Sequence, residues 1–135
     1  MGQLAVEAAA PLVLIIDDVE DNRHMYRDHL EHSGYRVIVS ADGSEGLRLA
    51  RELVPAIVIM DLCTPGIDGW EATRALKGDP ITRGIGIVVV SALHEPQSRQ
   101  LARDAGADFF LAKPCLPREL ALHVSECIRR QLHKK

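Results

Sequence analysis

Leu12-Val13-Leu14-Ile15-Ile16-Asp17-Asp18 is the stretch from which the fold is read. Five apolar residues in a row, rich in β-branched side chains, end abruptly in two acids. A strand that is apolar at every position, rather than every second one, is covered on both faces. Such a strand belongs to a parallel sheet held between two layers of helices. Runs of the same kind follow at 37–39, 56–60, 85–90 and Phe109–Ala112. The second of them, within Arg36–Ser40, is short and flanked by polar residues, which places it at a sheet edge.

Helical stretches separate the runs. Glu20–His32 closes at Ser33-Gly34, and a glycine there suits a helix C-terminus. Residues 44–53 begin with Ser44 and Glu45 and stop before Pro55, which disfavours helix at the preceding residue. Asp68 can cap a helix over 70–77 that ends at Gly78 and Pro80, and residues 95–105 end at Gly106. Pro117 suits the first turn of a last helix reaching about Leu132, with Leu120, Val124, Cys127 and Ile128 on one stripe. Strands alternating with helices predict an α/β fold: a doubly wound, five-stranded parallel sheet with helices on both faces and right-handed crossovers.

With 135 residues, the chain suits a single domain, read as 12–135 after a loose lead-in at 1–11. A hydrophobic share of 47% is enough to build a core, which excludes disorder for most of the chain. Lys and Arg total 16 against 19 Asp and Glu, so no basic field exists to bind nucleic acid. Aromatic residues at 4% argue against a base-stacking platform. The 3 cysteines show no zinc spacing and read as reduced thiols of a cytoplasmic protein. Near the N-terminus the longest apolar run, Leu12–Ile16, is far too short to cross a bilayer, and residues 1–11 lack the basic start of a signal peptide.

In an open α/β sheet, ligands sit beyond the carboxyl ends of the strands. The first strand ends in Asp17-Asp18, the third in Asp61, the fourth in Ser91-Ala92 and the fifth in Lys113-Pro114. Carboxylates held together resist ionising beside one another, and a divalent cation resolves the conflict. Ligands that are all oxygen suit Mg²⁺, which binds through one or two carboxylates plus phosphate. Lys113 can pair with a carboxylate or with an arriving phosphoryl group. Asp61, alone at the end of a central strand, is the candidate nucleophile toward phosphorus. An acid after a strand is often only a helix cap, and Asp18, Glu20 and Asp21 could serve the next helix in that way. The joint pattern in chain order is far more specific than any one acid.

The pattern resembles the receiver domains of bacterial two-component response regulators, over about residues 12–132. The resemblance is carried by Ile15-Ile16-Asp17-Asp18, by Met60-Asp61-Leu62-Cys63-Thr64-Pro65-Gly66-Ile67-Asp68-Gly69, by Ser91-Ala92, and by Phe110-Leu111-Ala112-Lys113-Pro114. It implies strand order 2-1-3-4-5 and transfer of a phosphoryl group to Asp61 from a histidine on a sensor kinase or phosphotransfer protein. It further implies Mg²⁺ held by Asp18, Asp61 and the backbone carbonyl of Cys63, with Asp17 acting through a bound water. Lys113 and Ser91 would each hold a phosphoryl oxygen. Ser91 and Phe110 would form a switch that reshapes the face of the fourth helix, fifth strand and fifth helix for a downstream protein partner. The peptide bond before Pro114 would be cis. Such a chain is a phosphoacceptor rather than an enzyme, a monomer or a phosphorylation-linked dimer, and binds neither nucleic acid nor membrane. A receiver piece of a larger regulator or hybrid kinase is the alternative.

Thr64 stands where the family often has Met, which touches no chemistry. Cys63 and Leu93, two residues beyond Asp61 and Ser91, cannot orient water well, and slow autodephosphorylation follows. Cys63 and Cys115 are expected on loops at the same edge. A redox role there needs exposed thiols of lowered pKa, and two idle thiols are the simpler reading. The 6 histidines form no ligand set, and Trp70 reads as a packing anchor. Two other classes fit less well. A flavodoxin-like cofactor binder needs a glycine- and hydroxyl-rich loop where Asp17-Asp18-Val19-Glu20-Asp21 stands. A phosphatase of the haloacid-dehalogenase type needs a second acid at position 19, which is Val.

Overall fold

The computed structural model describes residues 10–62, 66–92 and 96–133. In chain order the elements are β1 (Leu12–Ile16), α1 (Glu20–His32), β2 (Arg36–Ser40), α2 (Gly43–Leu53), β3 (Ile57–Asp61), α3 (Gly69–Gly78), β4 (Gly86–Ser91), α4 (Pro96–Ala105), β5 (Phe109–Ala112) and α5 (Pro117–His133). The strands pair in parallel in the order β2-β1-β3-β4-β5. The polar-flanked β2 is an edge strand, as its composition predicts, and β5 is the other edge.

Successive residues of the central strands feed two separate cores. Val13, Ile15, Ile57, Ile59, Val88 and Val90 pack with Tyr26 and Leu30 of α1 and with Leu120, Val124 and Cys127 of α5. Leu14, Ile16, Val58, Met60, Ile87 and Val89 pack with Ala50 of α2 and with Ala72 and Leu76 of α3. This is why those strands carry no alternation: both faces are dry. Each such side chain contributes about 1.5–3 kcal/mol when buried. The stripe predicted on the last helix is the one that faces the first of these cores, shared with α1.

Helix ends follow local chemistry, with small departures from the sequence-based bounds. Gly34, at φ 100, takes the left-handed position just past α1. The start expected at Ser44 is corrected: α2 begins at Gly43 because Asp42 is the cap, its Oδ1 accepting from the Ser44 N–H (2.7 Å) and the Glu45 N–H (3.1 Å). Asp68 caps α3 as expected, accepting from the Trp70 N–H at 2.7 Å. α2 lies close on β1 at Gly46, where a Cβ would come within 2.3 Å of Ile16 Cδ1. β3 and β4 each sit one residue later than their hydrophobic runs. Asp61 and Ser91 are therefore the last residues of their strands, held by the ladder itself.

Candidate functional site

Parallel strands end on one edge, and the chain reverses its direction of winding between β1 and β3. The crevice at that reversal lies between the ends of these two strands, so the topology sets Asp17 and Asp61 on either side of it. Carboxylate oxygens of Asp17, Asp18 and Asp61 lie within 4.8 Å of one another. Asp17 and Asp61 are buried, and Asp18 is exposed. Among the described residues this is the one set of three or more acids, histidines or cysteines close enough to hold a metal ion. Its donors are all hard oxygens, which fit Mg²⁺.

Lys113, from the end of β5, reaches into this cluster. Its Nζ donates to Asp61 Oδ2 at 3.0 Å and lies 3.7 Å from Asp17 Oδ2. Burial alone would lower the lysine pKa. The hydrogen bond to Asp61 and the charges of Asp17, Asp61 and Asp18 more than reverse that, and the pKa is raised. Asp17 is raised as well. Burial is the main cause and the charge of Asp61 adds to it, against the Val19 N–H, Lys113 and Asn22, which favour the ionised form.

Asp17 is held from several sides. Its N–H donates to the Ser40 carbonyl at 3.0 Å, and its Oδ1 accepts from the Val19 N–H at 2.9 Å. Its Oδ2 accepts from Asn22 Nδ2 at 3.3 Å, and its carbonyl accepts from the Arg23 guanidinium at 2.8 Å. The sequence reading did not single out Asn22 or Arg23. The signal available was weak: polar residues in the first turn of the helix that follows a strand-end acid.

Ser91 is fully buried at the end of β4, one residue beyond the ladder partner of Asp61, and its carbonyl accepts from the Lys113 N–H at 2.8 Å. Phe110 pairs in register with Val89 and packs, partly buried, against the core under α2 and α3. The peptide bond Lys113-Pro114 is cis. Cys63, Leu93 and Thr64 lie outside the described residues, so the carbonyl ligand and the water-orienting positions do too. Cys115 lies on the loop after β5, as expected, but it is 6% exposed, and burial together with Glu119 raises its thiol pKa. Such a thiol is poorly suited to redox chemistry. Trp70 packs against the core beside α3, as an anchor would.

A family model for the response regulator receiver domain matches residues 13–125. The chain belongs to that family. It is 36% identical over 102 residues to the polar-differentiation response regulator DivK of Brucella anthropi, an alignment covering 76% of this chain and 83% of that protein. It is equally similar to the response regulator PleD of Caulobacter vibrioides, of whose length the receiver match spans only 22%. Among solved structures, a putative response regulator from Chloroflexus aurantiacus superposes with a TM-score of 0.84 at 30% identity, over 90% of this chain and 99% of that one. This receiver domain is thus a signalling module of two-component systems. No helix among its described residues is long and apolar enough to cross a membrane.

Proposed function

We propose that this receiver accepts a phosphoryl group on Asp61 from a phosphohistidine of a sensor kinase or histidine phosphotransfer protein. The observation that carries the reading is the placement of Asp61: a buried strand-end carboxylate with the Lys113 ammonium on one oxygen and two further carboxylates beside it. An Asp61 carboxylate oxygen forms the new bond to phosphorus as the bond from phosphorus to the histidine nitrogen breaks, and the imidazole leaves neutral after taking up a proton. Asp18 and Asp61, with the Cys63 carbonyl, would hold Mg²⁺, and Asp17 would act through a bound water. When bound, the ion neutralises charge developing on the phosphoryl oxygens.

Lys113 exchanges its bond to Asp61 for one to a phosphoryl oxygen, and Ser91 holds another. Movement of Ser91 and Phe110 biases the α4–β5–α5 face between two packings, and a downstream protein partner reads the difference. The phosphorylated form is long-lived, since Cys63 and Leu93 offer no group that orients water well, and the setting is cytoplasmic. The test is intact mass after incubation with acetyl phosphate and Mg²⁺. Wild type gains one phosphoryl group, whereas Asp61→Asn, or wild type in EDTA, gains none. An adduct that survives in Asp61→Asn would sink the assignment.

A further inference from the structure

We propose that Asn22 is a positioning residue that fixes the Asp17 carboxylate for cation binding, an inference that rests on the Mg²⁺ reading above. Asp17 Oδ1 is oriented by a backbone N–H that cannot move independently of the chain. Among the described residues, the donors near Oδ2 are Asn22 Nδ2 at 3.3 Å and Lys113 Nζ at 3.7 Å. Lys113 is a poor anchor for this oxygen. It sits closer to Asp61, at 3.0 Å, and it is a long, flexible side chain that the proposed chemistry draws away to a phosphoryl oxygen.

Asn22 differs in both respects. It has a short side chain on the first turn of α1, so its amide is placed by helix backbone. It is also neutral. A neutral donor fixes the direction of a carboxylate without cancelling the charge that attracts a cation, which an ammonium cannot do. Losing a partner that orients the groups around a metal typically costs about 10–100-fold in affinity, and Asn22 would act through Asp17 and its water, one step further out.

Helix capping does not account for the residue. The N-cap of α1 is Val19, which has no side-chain cap bond, and the Asn22 side chain turns back to a carboxylate five positions earlier rather than to the helix's own N–H groups. Alanine and leucine are better helix formers than asparagine, so helix stability alone would favour replacing it.

The test uses the full chain with Mg²⁺ alone as the probe. Calorimetric titration with MgCl₂ is run on wild type, Asn22→Ala, Asn22→Leu and Asn22→Gln, alongside thermal melts in EDTA. Asn22→Ala and the near-isosteric Asn22→Leu should weaken Mg²⁺ binding about 10-fold, at the lower end of such effects because the bond is long. Their melting points in EDTA should fall by no more than a few degrees, since the lost bond is long and alanine and leucine are better helix formers. Asn22→Gln, which restores an amide donor, should recover part of the affinity. If wild type binds Mg²⁺ and the Ala and Leu variants bind it equally well, the positioning role is overturned and the metal reading stands. If wild type binds no Mg²⁺ at millimolar concentration, both are overturned.

Discussion

Replacing Lys113 by Met should destabilise the fold near neutral pH, and the structure sets the size. The ammonium lies 3.0 Å from Asp61 and 3.7 Å from Asp17. At an effective dielectric constant near 20 these pairs attract by about 5.5 and about 4.5 kcal/mol. Taking the ammonium out of water offsets several kcal/mol of that. Breaking a fully buried pair typically costs about 3–5 kcal/mol, and the side chain is 22% exposed, so the expected loss is about 2 kcal/mol. For a domain of this size that is a fall in Tm of about 6–10 °C. The sign with pH follows from the groups left behind. The folded pKa of Asp17 already lies above 3.8, and loss of Lys113 raises it further. The folded variant therefore keeps a proton to higher pH than the unfolded chain does, and its stability falls as pH rises through that folded value. Acidification toward 3.8 should close the gap to wild type. In wild type, the Lys113 contribution holds up to 10.5 while its carboxylate partners are charged, and on the alkaline side fades as pH rises through its raised folded pKa. Urea unfolding of both proteins in EDTA, at pH 7.5 and pH 5, measures this. Equal stability at pH 7.5, or a gap that widens on acidification, would refute the electrostatic account.

Three further outcomes are expected. Val54, the C-cap of α2, sits at φ 44, in the left-handed region that costs a β-branched residue about 1–2 kcal/mol, and the residue is 48% exposed. Val54→Gly should therefore raise stability by about 0.5–1 kcal/mol, less than the full strain because glycine gains freedom in the unfolded chain, and an unchanged or lower urea midpoint contradicts this. The phenol pKa of Tyr26 is pushed up to about 12 by burial, then by the charges of Cys115, Asp17 and Asp61. Above pH 10 the unfolded chain ionises first, so stability should drop by about 1.4 kcal/mol per pH unit from this group, a slope that Tyr26→Phe removes. Cys115 should resist iodoacetamide at pH 8 until denaturant is added; peptide mapping that finds it labelled in the native protein would contradict its burial.

The elements were legible because their signals are local. Apolar runs, the glycine after α1 and Asp68 before α3 act over a few residues, and the structure agrees with each. Departures arise where two local signals compete. Ser44 and Asp42 both suit a cap, and Asp42 prevails because its carboxylate reaches two N–H groups at once. Hydrophobicity ends β3 at Met60, but ladder pairing with Val90 carries the strand one residue further to include Asp61. The loop position of Cys115 was legible but its burial was not: residues of α1 and α5 pack around it, and its carbonyl accepts from Tyr26 at 3.4 Å.

By itself, the sequence determined the order of strands and helices and, through where each strand ends, which polar residues share the active edge. Those features depend on neighbours in the chain and on the rule that parallel strands end together. Only the tertiary structure decided the distances on which the chemistry turns. Lys113 reaches Asp61 from 52 residues away, three carboxylates meet within 4.8 Å, and Asn22 turns back onto Asp17. These depend on how tightly crossover helices pack on the sheet and on which side chains lose water, and no local pattern encodes either.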